Sequence, residues 1–281
     1  MSMEKKEKII NHIENLKVPE GRSKSEIWTE LQKKMEADSV KSKKFLIKQP
    51  VFYYSVASIV IVFFSLLFIL SYNNTSEIFV HAGQKEIVFL PDGSEVVINS
   101  VSKLLYSKKE WKDERVVELE GEAFFKVKKG SDFTVRCING SVKVTGTIFN
   151  VFSRGNTLEV KCTEGAVSVH SKSGKTIFLK ENQLVNFRPD NNSGEVLNLN
   201  NSNTDLWTNG QFYFQNKSLD NVFDELERQF NMKIQFDSKS ERVFNGYFNN
   251  KDLDQALKMI CKPMGLEYQI ENNSLVLITT H

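Results

Sequence analysis

The sequence predicts a multi-domain membrane protein: short cytoplasmic helices, one transmembrane helix, an all-β antiparallel sandwich or roll, then a small α+β domain. Three observations carry this. Residues 51–70 (VFYYSVASIVIVFFSLLFIL) hold no charge. Downstream of them the apolar period drops to two, with turn residues every few positions. After a polar stretch at 190–206, two helical periods reappear among strands.

The uncharged run is the strongest constraint. A bilayer core about 30 Å thick needs ~20 apolar residues in a helix, and Ser55, Ser58 and Ser65 are tolerable because a serine hydroxyl bonds back to its own helix. Lys41, Lys43, Lys44 and Lys48 precede the run, whereas the following segment (SYNNTSEIFVHAGQ) has no lysine or arginine before Lys85. This asymmetry predicts a cytoplasmic N-terminus and an outer C-terminus. About fifty residues precede the run and no small-x-small site follows, which argues against a cleaved signal peptide.

Residues 1–48 read as two amphipathic helices. Ile9, Ile10, Ile13 and Leu16 form the first stripe, which Pro19-Glu20-Gly21 ends. Ser23-Lys24-Ser25-Glu26 has the form of a capping box, followed by a stripe of Ile27, Trp28, Leu31 and Met35. Two helices this short cannot bury both stripes against each other. Either a partner covers Ile10, Ile13, Trp28 and Leu31, or the pair lies on the membrane surface as a loose hairpin.

Between residues 78 and 189 the strand runs are 86–90, 95–99, 115–119, 123–127, 133–137, 141–145, 157–162 and 166–170. Turn signals at Pro91-Asp92-Gly93, Lys129-Gly130-Ser131, Asn139-Gly140, Glu164-Gly165 and Ser173-Gly174 separate them. Residues 190–206, rich in Asn and Ser, read as a linker. From 207 to 280 the order is β-α-β-β-α-β-β, with Ser218 capping the first helix and Asn272-Asn273 turning the last hairpin. At about 75 residues this module is large enough to fold alone.

Chemistry is sparse. The 281 residues carry a net charge of +2, too little to call for nucleic acid, with 26% charged and 40% hydrophobic residues. His12, His81, His170 and His281 stand apart from one another and from acidic clusters. No nucleophile elbow, phosphate loop or zinc spacing is present, so no enzyme activity, cofactor or metal is expected. Cys137 and Cys162 share parity with core positions and read as small hydrophobes, although a disulfide between them is conceivable outside the cytoplasm. Asp92-Gly93-Ser94-Glu95 reads as a plain turn. Glu118, Glu120 and Glu122 read as one solvated strand face. At Gly146-Thr147 the alternation breaks, and Ile148, Phe149, Val151 and Phe152 place apolar groups on both faces, as at a bulge or a close backbone approach.

The stretches LPDGSEVVINSVSKLLY, VVELEGEAFFKV, VKVTGTIFNV and EGAVSV resemble, in order, the signatures of the FecR family of membrane-anchored anti-sigma factors. WTNGQFYFQNKSLDNVFDELERQFN is similar to the C-terminal module of many members, itself similar to the signalling domain of TonB-dependent receptors and secretins. The resemblance covers about residues 78–280. It implies an inner-membrane transducer without enzyme activity. Its cytoplasmic helices would hold an extracytoplasmic-function sigma factor through Ile10, Ile13, Trp28 and Leu31. Its outer part would answer the signalling domain of a TonB-dependent outer-membrane receptor, with no direct contact to nucleic acid. Family members often start with a longer helical segment bearing an LxxWL-type stretch. Here Ile27-Trp28-Thr29-Glu30-Leu31 is loosely comparable. Several members are cleaved at a Gly-Thr bond, and Gly146-Thr147 is the matching pair. A different class, a membrane-tethered periplasmic ligand sensor without sigma-factor regulation, would instead carry a deep apolar pocket in the β domain.

Overall fold

The computed structural model describes residue 10 and residues 23–39, 49–72, 75–188, 191–199, 206–236, 242–272 and 274–280. Two compact units divide the chain at Phe68/Ile69, and each is described by itself.

In the first unit, α1 spans Lys24–Ser39 and starts where the capping box lies. The Ser23 hydroxyl accepts from the Glu26 amide at 3.3 Å, and the Glu26 carboxylate accepts from the Ser23 amide at 3.3 Å. Two backbone donors that the first helical turn would leave unpaired are thereby satisfied. Helix α2 runs unbroken over the 24 residues Gln49–Tyr72, about 36 Å at 1.5 Å per residue. Ser58 and Ser65 donate back to the carbonyls of Ser55 and Val62, at 2.8 and 2.9 Å. Side chains are described for residues 53–68 of α2, all of them exposed, an apolar surface on every side. Within that described stretch no helix is long and apolar enough to cross a membrane.

The second unit opens with thirteen strands in one hydrogen-bonded network, a sheet nearly closed on itself. They are β1 (Thr75–Val80), β2 (Glu86–Phe89), β3 (Glu95–Ile98), β4 (Ser102–Ser107), β5 (Arg115–Lys126), β6 (Phe133–Cys137), β7 (Gly140–Val144), β8 (Ile148–Arg154), β9 (Thr157–Glu164), β10 (Ala166–Ser171), β11 (Thr176–Lys180), β12 (Gln183–Arg188) and β13 (Asn191–Asn198). One layer follows the order β1-β4-β5-β6-β7-β10-β11, the other β2-β3-β5-β8-β9-β12-β13.

Strand β5 belongs to both layers. Residues 115–119 and 123–127, which read as two strands, form one strand of 12 residues that bends at Gly121. Its first half pairs with β4 and β6, its second with β3 and β8. Gly121 has φ +109, and a Cβ there would lie 2.4 Å from the Ser102 hydroxyl, so the bend requires glycine. Because the chain passes through the second layer before returning, β5 and β6 pair parallel (Arg115 opposite Phe133). This corrects the wholly antiparallel expectation. Asn191–Asn198, expected at the head of a linker, instead forms the outer strand β13 against β12. Its polar residues suit a solvated edge.

Between the layers lies one apolar core in which Phe125 stacks on Phe149 at 5.1 Å and meets Phe133 edge-on at 6.1 Å. Cys162 belongs to it and Cys137 packs against it; neither forms a disulfide. Burial pushes the Cys137 thiol up to about 12 and the Cys162 thiol up to about 11, so both remain protonated hydrophobes. The Asp92 turn is tied down. Its carboxylate accepts from the Ser94 amide (2.9 Å), the Ser94 hydroxyl (2.8 Å) and the buried Arg115 guanidinium (2.8 Å). Burial alone would raise this carboxyl, but those partners hold it below the ordinary value.

The C-terminal module contains β14 (Gln211–Ser218), α3 (Leu219–Phe230), β15 (Lys233–Phe236), β16 (Val243–Asn249), α4 (Leu253–Cys261), β17 (Leu266–Asn272) and β18 (Leu275–Thr280). This is the expected order. The Ser218 hydroxyl caps α3 and Asp252 caps α4. Each β-α-β half gives its first strand to the pair β14-β16 and its second to the sheet β15-β18-β17.

Candidate functional site

The structure brings together a site absent from the sequence reading, on the outer face of the layer containing β3, β5 and β8. Val97 and Phe124 are paired neighbours on β3 and β5, and both are buried in the core of the C-terminal module. Ile148 packs against the same core. The core of the module is thus built mainly from its own residues, and Val97 and Phe124 of the β domain close one side of it as a shared seam.

Polar side chains line the seam beside these apolar ones. The indole N–H of Trp207 donates to Asn150 Oδ1 at 3.0 Å, and Gln229 donates to Asn99 Oδ1 at 2.8 Å. Those bonds fix both asparagines with their amide N–H groups pointing at Glu122. Asn150 donates to one carboxylate oxygen at 2.9 Å and Asn99 to the other at 2.8 Å. Gly83 donates its amide to Arg228 O at 2.8 Å. Lys217 reaches Glu159 at 2.7 Å. Burial alone would raise Glu159, but Lys217 foremost, with Lys161 and Arg188, outweighs it and the carboxyl sits below its ordinary value.

Glu122 goes the other way. Burial foremost, then the Glu225 carboxylate, push it up to about 7, against the two amide donors and Arg154. Glu225 is buried and pairs with Arg228 at 2.7 Å, while its other oxygen accepts from Gln229 at 2.8 Å. The Glu225 carboxylate thus faces Glu122 across a poorly hydrated seam. The expected solvated face holds for Glu118 and Glu120, which are exposed. It fails for Glu122, because the Gly121 bend moves the strand into the other layer and under the module. A signal was available in that glycine.

Of the residues expected to hold a partner, Trp28 and Leu31 are exposed on α1, at 46% and 38%. Ile10 is helical and exposed, and Ile13 lies outside the described residues. Gly146 and Thr147 join β7 to β8. A Cβ on Gly146 would lie 2.7 Å from Lys129 Cα, so a close backbone approach demands glycine there. The segment is pinned from both sides, with Gly130 donating to Thr145 O (2.9 Å) and Val127 to Thr147 O (3.0 Å). The buried Thr147 hydroxyl donates to Ala166 O at 3.0 Å. The bond borders an open cleft of about 720 Å³, lined by Phe89, Glu95, Lys126, Lys128, Lys129 and Glu164 among others. The cleft is open, unlike the deep apolar pocket that a ligand sensor would need. Among the described residues no group of three or more His, Cys, Asp or Glu could hold a metal.

Comparison with known proteins agrees with this architecture. The family model described as "FecR protein" matches residues 76–168, and that described as "FecR, C-terminal" matches 211–277. No curated protein matches the sequence. Two crystal structures of a candidate anti-sigma factor from Parabacteroides distasonis ATCC 8503 superpose with a TM-score of 0.67 each. One is 30% identical, covering 73% of this chain and 99% of that one. The other is 29% identical, covering 74% and 99%. The family regulates rather than catalyses, and this chain, with its FecR β domain and its FecR C-terminal module, belongs to the FecR family.

Proposed function

We propose that this chain is a single-pass inner-membrane anti-sigma factor that holds an extracytoplasmic-function sigma factor and releases it on a signal from a TonB-dependent outer-membrane receptor. In this reading residues 1–48 are cytoplasmic, 51–70 span the membrane, and both the β domain from 78 and the module to 280 lie in the periplasm. The 24-residue helix α2, apolar on every described face and preceded by four lysines, is the observation that carries it. The family supplies the sigma factor as partner, and the exposed Trp28 and Leu31 on α1 are of the type that anchors such a contact.

Release follows proteolysis of the outer domain and then of the span, and the outer domain is itself split beforehand at Gly146–Thr147. The Thr147 hydroxyl oxygen attacks the Gly146 carbonyl carbon, the C–N bond breaks, and the amide nitrogen leaves as the amine, protonated by the hydroxyl proton. Water then hydrolyses the ester to a Gly146 carboxylate and a restored threonine. The required glycine and the pinned backbone around it support this choice of bond.

Topology is tested by fusing a reporter that is active only in the periplasm. Fused after His281 it should be active, and fused at residue 45 it should not; the reverse pattern overturns the reading. The sigma contact is tested by Trp28→Ala with Leu31→Ala at matched protein level, which should release sigma-dependent transcription. Unchanged repression would remove these residues from the contact.

A further inference from the structure

We infer that Gly165, in the turn between β9 and β10, is a positioning residue for the scission proposed at Gly146–Thr147, its bare backbone leaving the Thr147 hydroxyl free to reach the Gly146 carbonyl. The inference rests on that scission and adds to it the element that prepares the bond. The nearest atoms that a Cβ at Gly165 would meet are the Thr147 hydroxyl oxygen at 3.1 Å, the Gly146 carbonyl oxygen at 3.4 Å and Thr147 Cα at 3.6 Å. All three belong to the pair being cleaved. The nucleophile and the carbonyl it attacks thus face one point of the turn, and a side chain there would press on both.

The turn is fixed in this place. Ile148 pairs with Glu164 and Phe149 with Cys162, so Thr163 is the extra residue of a bulge. A bulge bends its strand and re-aims the residues beside it. The Cys162 thiol donates to Gly165 O at 3.6 Å and ties the turn to the core. Ala166 O accepts from the Thr147 hydroxyl at 3.0 Å, and with its hydrogen held there the oxygen turns its lone pairs away from Ala166. A second segment also holds the bond. Lys129 packs against Gly146, and the Val127 amide donates to Thr147 O at 3.0 Å.

In the shift the Thr147 oxygen bonds to the Gly146 carbonyl carbon as the C–N bond breaks, and the hydroxyl proton passes to the leaving nitrogen. A misplacement of about 1 Å can cost such a reaction ~100-fold. Gly165 contributes room for the approach and no chemistry of its own. It also has φ +88, so a substitution strains the turn as well as filling the space. Gly174, in the turn between β10 and β11, separates the two effects. Its φ is +86, and a Cβ there would meet nothing within 4 Å.

The test is a pulse–chase of the full-length protein in its membrane, with fragments 1–146 and 147–281 identified by mass. Gly165→Ala and Gly165→Asn should each slow splitting at least about tenfold. Asparagine tolerates positive φ, so the second variant fills the space with less strain and should keep the parent's circular dichroism spectrum. Gly174→Ala should split within about twofold of the parent rate, since it carries the strain without touching the bond. Hydroxylamine cleaves esters and spares amides, so it should not restore the Gly165 variants, which are slowed before the ester forms. Parental rates in both Gly165 variants overturn the inference. So does equal slowing by Gly174→Ala, full restoration by hydroxylamine, or slowing confined to variants that have lost the parent's spectrum. An unsplit parent refutes the scission itself and this inference with it, whereas a split parent with unslowed variants refutes this inference alone.

Discussion

The stability of the unit from Ile69 onward should fall as pH rises from 5 to 8, and Glu122 should be the reason. Its carboxyl lies at about 7 in the folded chain against 4.5 for an ordinary glutamate, because burial and Glu225 both disfavour its charge. A carboxyl that holds its proton more tightly folded than unfolded contributes stability that is complete below 4.5. That contribution is lost as pH climbs through about 7. At 1.36 kcal/mol per pH unit the interval is worth about 3 kcal/mol as a ceiling, and the expected loss is about 1–3 kcal/mol. Asp92 and Glu159 are held below their ordinary values, so their stabilisation fails only on acidification, outside this window. The assay is urea denaturation of residues 69–281 at half-unit steps from pH 5 to 8, followed by tryptophan fluorescence. Trp207 sits in the seam and reports its opening. In Glu122→Gln the slope should vanish, whatever happens to absolute stability. A parent protein whose stability stays level or rises over this range refutes the reasoning, as does an undiminished slope in the variant.

Three further outcomes are expected. Purified residues 69–281 should separate into two fragments split at 146/147, and Thr147→Ala should run as one intact species on a denaturing gel. An unsplit parent, stable for days, would leave Gly146 as a backbone constraint alone. Truncation after Gly210 should destabilise the β domain, because Val97 and Phe124 each lose burial worth about 1.5–3 kcal/mol and Asn99 loses its Gln229 partner. Calorimetry of the truncated form should show a lower melting temperature than residues 69–281 intact. Arg115→Lys should cost about 2–3 kcal/mol by denaturation, since a single ammonium cannot serve Asp92, Lys128 O and Ser131 O together.

Local chemistry was legible in the residues themselves. The Ser23/Glu26 box, the Ser218 cap and the helical stripes depend on neighbours three or four positions away, and each lies where its pattern falls. The uncharged run needs only its own length and flanking lysines. Glycine at 146 announced a close approach because no other residue tolerates one. What the sequence could not determine is which surfaces meet. Residues 117–120 alternate, while Gly121 and the apolar run Ala123-Phe124-Phe125 break the period; that break says both faces of the second half are covered, and says nothing of which chain covers the outer one. Glu118 and Glu122 are alike in sequence and opposite in environment, because burial of a carboxylate depends on chain more than a hundred residues away. The polar strand β13 and the parallel β5–β6 pair were hidden for the same reason. Pairing energy comes from a partner strand, and only the tertiary structure decided where that partner would be.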